Sequence, residues 1–248
     1  MASLRRQLKR FWDNISNEYY DEIHRTSRNF DKIIYDRLKE VVLSLRDHGI
    51  YLDLGGGRGR VQEIFVDSKA HIVVGDVSKA MMKNTSTQLQ LRALTSYVQL
   101  DAFKIPFIRN TFDGVFSLLG DPFLLPEVFS EVFRVLKPSS FFFIALPSKT
   151  WAKNLRSTLG LSINQASFRT REGNSVETPS FVYDSGELVD TLLSTGFKHI
   201  QTGDWQPLST IPKMLLSQDV LTTAKNLHIS YEILPLITYA LAYKEVEM

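Results

Sequence analysis

Three carboxylates and a run of glycines are spaced along this sequence as a nucleoside-binding site needs them. Asp53-Leu54-Gly55-Gly56-Gly57-Arg58-Gly59 places an acid just ahead of G-x-G-x-G. Without Cβ atoms, such a loop lets a ligand lie directly on the backbone. The helix expected after it would offer free N-terminal amides to an anionic group such as a carboxylate. Asp53 suits a ligand that also carries an ammonium, unless it only organises the turn. A dinucleotide loop is disfavoured, because its third glycine would fall on Arg60. A P-loop is excluded, because no Gly-Lys-Ser/Thr follows. Asp76 stands 76 − 57 = 19 residues beyond Gly57. An acid at about that spacing accepts two hydrogen bonds from ribose hydroxyls. The competing role of helix cap is already served by Ser78. Asp101, followed by Ala102, can accept from an adenine amino group, and Met81 either covers the adenine face or belongs to the core.

The elements around these residues must bring them to one place. Residues 1–48 read as helix, with one apolar stripe at Leu4, Leu8, Phe11, Trp12 and Ile15. A second stripe runs Phe30, Ile33, Ile34, Leu38, Val41, Val42 and Leu45, and Gly49 is a plausible stop. Short apolar runs then follow at 50–54, 71–76, 97–101, 112–118 and 140–146, each read as a strand. Helices are expected from Ser78 to about Leu91 and from Pro126 to Leu136. Strands alternating with helices mean an α/β domain with a mainly parallel sheet. Right-handed crossovers put the strand C-terminal ends on one edge, where ligands bind. The glycine loop, Asp76, Asp101 and Leu119-Gly120-Asp121 all lie just past strand ends. Further on, a hairpin around Gly173-Asn174, a helix capped at Asp184 or Ser185 and stopped by Gly196, a strand at 197–202, one or two helices within 205–232 and a final strand at 236–243 complete the chain.

Composition narrows the possibilities. The chain has 248 residues, 29 basic and 27 acidic side chains, a formal net charge of +2 and no cysteine. That charge gives no bulk footprint for nucleic acid or membrane. Disulfides, cysteine-ligated metals and thiol nucleophiles are excluded. No apolar run approaches the ~18–20 residues that span a bilayer. The basic start (Arg5, Arg6, Lys9, Arg10) is followed by Asp13 and Glu18, which favours a structural helix and a cytoplasmic protein over a transit peptide. The histidines form no metal-ligand pair at useful spacing, so no metal is expected.

An amino-acid end, a ribose and an adenine together suit S-adenosylmethionine. Five stretches stand in order: Asp53 to Gly59, Val74-Gly75-Asp76-Val77-Ser78-Lys79-Ala80-Met81-Met82, Gln99-Leu100-Asp101-Ala102, Phe112-Asp113-Gly114-Val115-Phe116-Ser117, and Glu131 to Pro138. In this the chain resembles the class I S-adenosylmethionine-dependent methyltransferases, nearest the small-molecule group. The match covers about residues 50–147 and extends weakly to Phe11-Trp12-Asp13 with Tyr19-Tyr20-Asp21, to Gly196-Phe197 and to the final strand. The resemblance implies a Rossmann-like seven-stranded, mainly parallel sheet with helices on both faces and an antiparallel last strand. It implies one domain: a helical cap (1–48), a cofactor-binding core (49–147), and acceptor-side insertions (148–183 and 205–232). It assigns Asp53, Gly55 and Gly57 to the methionine moiety, Asp76 to ribose, Asp101 to adenine, and Val77, Met81, Ala102, Leu118 and Tyr19 to the cofactor's surroundings. Ser139-Ser140 departs from the glycine pair usual after Lys137-Pro138, and the segment after the fourth strand lacks the group's His-containing pattern.

Methyl transfer from an activated sulfonium asks mainly for alignment and exclusion of water. Asp121-Pro122-Phe123 is one proline short of the Asp-Pro-Pro-aromatic motif of amino-methylating enzymes. Asp121 is therefore the candidate for holding or deprotonating an acceptor, unless Asp121-Pro122 is only a turn. Tyr20, on the N-terminal cap, is the second candidate. Trp151, Tyr183, Trp205, His228, Arg156, Arg169 and Arg171 could line an acceptor pocket but are more often core or solvated. The reading is a methyltransferase acting on O, N or C of a small-molecule acceptor. Aminocarboxypropyl transfer, an RNA or protein substrate, and a non-catalytic scaffold stay open as alternatives.

Overall fold

The structure is a computed structural model, and it describes residues 2–42, 48–65, 68–83, 94–207 and 211–245. Among the described residues nine strands form one seven-stranded sheet and one hairpin. In chain order the strands are β1 (His48–Leu54), β2 (Lys69–Asp76), β3 (Leu94–Gln99), β4 (Phe112–Leu118), β5 (Leu136–Pro147), β6 (Gln165–Arg169), β7 (Ser175–Pro179), β8 (Lys198–Trp205) and β9 (Ile237–Lys244). The large sheet runs β3-β2-β1-β4-β5-β9-β8. Its first five strands pair in parallel, and β9 runs antiparallel to both β5 and β8. The antiparallel last strand expected from the resemblance is therefore inserted between two others. The hairpin β6–β7 turns at Gly173, as its sequence predicts.

Strand alternation builds two cores. Tyr51, Val74, Phe116 and Phe143 point to one face, and their neighbours Leu52, Val73, Val115 and Phe142 to the other. The first face is covered by α2 (Arg25–Val42), α5 (Lys149–Thr158) and α7 (Gln218–Asn226), through Phe30, Ile33, Trp151 and Val220. The second is covered by α4 (Pro126–Val135) and α6 (Ser185–Thr195), through Phe129, Val132, Leu188 and Leu192, with Leu8 of α1 (Ala2–Ile15). Asp184 caps α6 in a reciprocal box with Glu187, and Gly196 stops it in the left-handed region at φ 109°.

Several expected boundaries move. Gly49 does not stop a helix but lies inside β1, where a Cβ would meet the Asp113 carboxylate at 3.0 Å. The helix expected after the glycine loop is a single 3-10 turn, Val61–Glu63. The third strand begins earlier and ends at Gln99, and β5 starts at Leu136 rather than Ser140. Of the helix after Ser78, only α3 (Lys79–Lys83) lies within the described residues, as do none of the expected positions at Leu91 and Leu45. Ser139, where the resemblance calls for glycine, adopts φ 60°. A side chain there costs about 1 kcal/mol, so Ser139→Gly is expected to raise the unfolding midpoint modestly, by roughly 0.5–1 kcal/mol of stability in a urea titration.

Candidate functional site

The C-terminal ends of β1, β2 and β4 and the turn after β3 open onto one cleft, which α1, α2 and the segment between them roof over. It holds about 1170 Å³ of space, its mouth included.

Asp53, at the end of β1, is 2% exposed. One carboxylate oxygen faces the Val61 amide, while Oδ2 is buried without any hydrogen-bond donor. Such an orphan is costly unless a ligand supplies the donor. Burial, with some help from the Asp76 charge, pushes its carboxyl up to about 7. Asp76 ends β2. Its Oδ2 accepts from the Gly57 amide at 3.0 Å and its Oδ1 from the Ser78 amide at 2.8 Å. Each oxygen keeps a second lone pair, and the residue lines the cleft. Burial raises its carboxyl to about 6 against the pull of those amides. Ser78 caps α3 by accepting from the Met81 amide at 3.2 Å, and its hydroxyl donates to Asp13 of α1 at 2.7 Å.

The glycine loop departs from its expected use. Gly55 and Gly56 donate to the Gly75 carbonyl, Gly57 to Asp76, Arg58 to the Tyr20 hydroxyl and Gly59 to the Gly56 carbonyl. No amide of the loop is left free for an anionic group. A Cβ on Gly55 would lie 2.6 Å from the Phe123 ring, and one on Gly57 2.5 Å from the Tyr20 hydroxyl oxygen. The chain's own aromatic side chains thus lean on the bare backbone, and the ligand space begins beside them. Both glycines have positive φ, 74° and 52°, so glycine is required there on conformational grounds as well.

Tyr20 lines the cleft, accepts from the Arg58 amide at 3.2 Å and lies under the Arg58 and Arg28 guanidinium groups. Among the described residues no acceptor takes its own proton. Burial pushes the hydroxyls of Tyr19 and Tyr20 well above the ordinary tyrosine range. Tyr19, also in the lining, packs edge-on against Trp12 and Tyr20. Val77, Met81, Ala102 and Leu118 line the same cleft. Asp101 does too, with Oδ1 accepting from the Phe103 amide and Oδ2 3.3 Å from Arg5 of α1.

Asp121 is a correction. It is absent from the lining, although its neighbours Pro122 and Phe123 belong to it. Its Oδ2 accepts from the Ser180 hydroxyl, which is held in turn by the Arg156 guanidinium, and its carbonyl accepts from the Phe181 amide at 2.7 Å. Arg156 also donates to the carbonyls of Ile163 and Ser180. All three side chains are buried. Asp121 is therefore a tie between the loop after β4 and the 148–183 insertion, set by pairing with residues far along the chain. Asp121→Asn keeps an acceptor for Ser180 but removes the charge that faces Arg156. Because burial raises that carboxyl to about 6, the charge itself is disfavoured there, and Asp121→Asn is expected to move stability by less than about 1 kcal/mol in a urea titration, whereas Asp121→Ala, which leaves Ser180 and Arg156 without their partner, should lower it by about 1–3 kcal/mol.

None of the other acceptor-pocket candidates lines the cleft. Trp151 packs on Phe30, Trp205 stacks on Tyr239 and the Tyr183 hydroxyl donates to the Leu124 carbonyl. Arg171 is tied to Asp21 and Glu18, while Arg169 and His228 are exposed. What the sequence reading missed is one face of α2. Asp31, Ile34, Tyr35 and Leu38 line the cleft, joined by Arg60, Ile64 and Leu119. Their signal was a carboxylate sharing the helical stripe with residues three, four and seven positions on. Among the described residues no three His, Asp or Glu stand together as a metal site, and no helix is long and apolar enough to cross a membrane.

Residues 52–144 match the family described as a methyltransferase domain. The chain is 31% identical over 115 residues to 24-methylenesterol C-methyltransferase 3 of Arabidopsis thaliana, covering 44% of this chain and 32% of that protein. It is 33% identical over 95 residues to the ubiquinone/menaquinone biosynthesis C-methyltransferase UbiE of Idiomarina loihiensis, covering 35% of this chain and 38% of that one. The matched stretch thus spans well under half of each curated relative. A Haemonchus contortus phosphoethanolamine N-methyltransferase 2, solved with phosphomonomethylethanolamine and S-adenosylhomocysteine, superposes with a TM-score of 0.63 at 16% identity, over 95% of this chain and 60% of that one. At that identity the likeness is one of fold.

Proposed function

We propose that this chain, whose residues 52–144 match a methyltransferase domain, is a class I S-adenosylmethionine-dependent methyltransferase that transfers the methyl group of S-adenosylmethionine to a small-molecule acceptor. The observation that carries this reading is the buried, donor-less Oδ2 of Asp53 beside the oriented Asp76 carboxylate in one cleft. An ammonium answers the first and a ribose diol the second. The sterol and quinone methyltransferases among the relatives support a small acceptor. When bound, the cofactor supplies a methyl group on a positively charged sulfur.

The chain's own residues bind, orient and seal. Asp53 receives the ammonium. The Tyr20 hydroxyl, with its proton uncommitted, donates to the amino-acid carboxylate, in place of the loop amides that are already used. Asp76 holds the ribose hydroxyls through its remaining lone pairs. Asp101 accepts from adenine, with Arg5 steadying its other edge. Trp12 and Tyr19 close the roof and keep water from the reacting carbon. Asp121 fixes the loop that carries Phe123 against Gly55. A cytoplasmic location without a nucleic-acid partner goes with this reading, on the near-neutral charge and the mixed-charge first helix.

Calorimetric titration with S-adenosylhomocysteine tests it. Saturable one-to-one binding is expected, and no heat at millimolar ligand would overturn the reading. Mass spectrometry of the acceptor after turnover then separates the gain of one methylene from the larger aminocarboxypropyl group.

A further inference from the structure

Resting on that reading, we propose that the second half of the cleft takes a lipophilic acceptor whose hydroxyl or amine head donates to Asp31. Helix α2 turns Asp31, Ile34, Tyr35 and Leu38 into the cleft, an i, i+3, i+4, i+7 face. Ile34 and Leu38 are 2% and 0% exposed and pack in the same apolar cluster as Ile64 and Leu119. Leu119 reaches that wall from the other side, just past β4, with its backbone in the left-handed region at φ 57°. A branched side chain is rarely held there, and such strain concentrates where a binding surface is shaped. The walls facing each other across this half are thus hydrocarbon.

Charge on the same half cancels. Asp31 faces the guanidinium groups of Arg28 at 3.0 Å and Arg60 at 3.9 Å, and Arg60 also faces Glu63 at 3.7 Å. Within the lining Arg60 stands against Asp31, one charge of each sign, while Arg28, Arg58 and Glu63 lie outside it, so the cleft wall itself offers no surplus for a phosphate or carboxylate acceptor. Arg58 lies across the ring of Tyr20, outside the lining. The Asp31 Oδ2 is shielded from solvent, and neither guanidinium is aligned to hydrogen-bond to it. A hydroxyl or amine head on an otherwise oily ligand would supply the hydrogen bond that these two ion pairs leave unmade. A site built this way rejects analogues that cannot donate.

The test titrates 1-octanol, octylamine, octanoate and phosphoethanolamine into the full chain, with and without saturating S-adenosylhomocysteine. One-site binding is expected for octanol and octylamine, with octanoate and phosphoethanolamine at least about 10-fold weaker. Asp31→Asn should weaken octylamine at least about 10-fold and narrow its advantage over octanoate. The S-adenosylhomocysteine constant should stay within about twofold, since Asp31 lies outside the cofactor's proposed contacts. Leu119→Asp should abolish binding of both eight-carbon probes, and covers the case in which Asp31→Asn does not fold. Phosphoethanolamine binding as tightly as octylamine, or eight-carbon probes indifferent to both variants, overturns the proposal. Loss of S-adenosylhomocysteine binding alone, with probe binding still sensitive to Asp31, would count against the cofactor reading and leave this one standing.

Discussion

Asp76→Ala is expected to raise the dissociation constant for S-adenosylhomocysteine about 100-fold, the sharpest single effect the cleft offers. Two charge-assisted hydrogen bonds to a ribose diol, at roughly 1.5–3 kcal/mol each, account for a loss of that size. The carboxylate is set for the task before any ligand arrives. The Gly57 amide holds one oxygen at 3.0 Å and the Ser78 amide the other at 2.8 Å. Those same bonds mean that alanine strips two backbone donors of their acceptor, so stability should fall as well. Asp76→Asn separates the two roles. Its single carbonyl oxygen can serve one of the amides, while its NH2 is turned on the other, donor against donor. Binding should then fall nearly as far as in the alanine variant, with a smaller loss in the urea midpoint. Calorimetry on both variants reads this directly. Affinity within threefold of the parent in both would remove Asp76 from the ligand site.

Strand ends were the most legible part of this molecule. The apolar run from Phe112 to Leu118 gives the bounds of β4, with Val115 and Phe116 in opposite buried clusters and the alternation broken only at the irregularity between Phe112 and Gly114. Parallel strands then carry Asp53, Asp76 and Leu118 to one edge, so residues 65 apart in sequence (118 − 53 = 65) meet around one cleft. What stayed hidden depends on partners that no local pattern announces. The amides of the glycine loop look free in sequence, yet the Gly75 carbonyl and the Tyr20 hydroxyl consume them. Asp121 looks like a catalytic acid next to proline, yet Ser180 and Arg156 claim it. The α2 stripe reads as core and is core for Ile33. One step round the helix, Ile34 and Leu38 are both core and cleft wall. Helical periodicity marks a buried face without saying whether protein or ligand buries it.

Acidification is expected to pull stability and ligand affinity in opposite directions. Burial pushes the Asp53 carboxyl up to about 7, and the carboxyls of Asp76 and Asp121 to about 6, from an ordinary value of 3.8. A carboxyl raised in the folded state binds its proton there before the unfolded chain does. The folded state therefore gains stability as pH falls through the raised values, and loses it as pH climbs past them. From pH 7.5 to 6.5 the three carboxyls together contribute about 1 kcal/mol. His24, whose burial lowers its imidazole, works the other way below about 6.5 and offsets less than half of that gain. The ligand-free chain should melt about 2 °C higher at pH 6.5 than at pH 7.5. The ligand needs both Asp53 and Asp76 ionised. Its affinity should fall about 100-fold between pH 7.5 and 5.5, with protons released to the buffer as the complex forms, more of them at the lower pH. Asp53→Asn isolates the larger contributor. With no proton to lose at that position, the variant should bind S-adenosylhomocysteine weakly at every pH, and the remaining dependence over the same range should shrink to about fourfold, the share left to Asp76. Melting curves with and without ligand across this range measure both trends. Parallel trends, or an Asp53→Asn profile as steep as the parent's, would show that the buried orphan on β1 does not receive the ligand's ammonium.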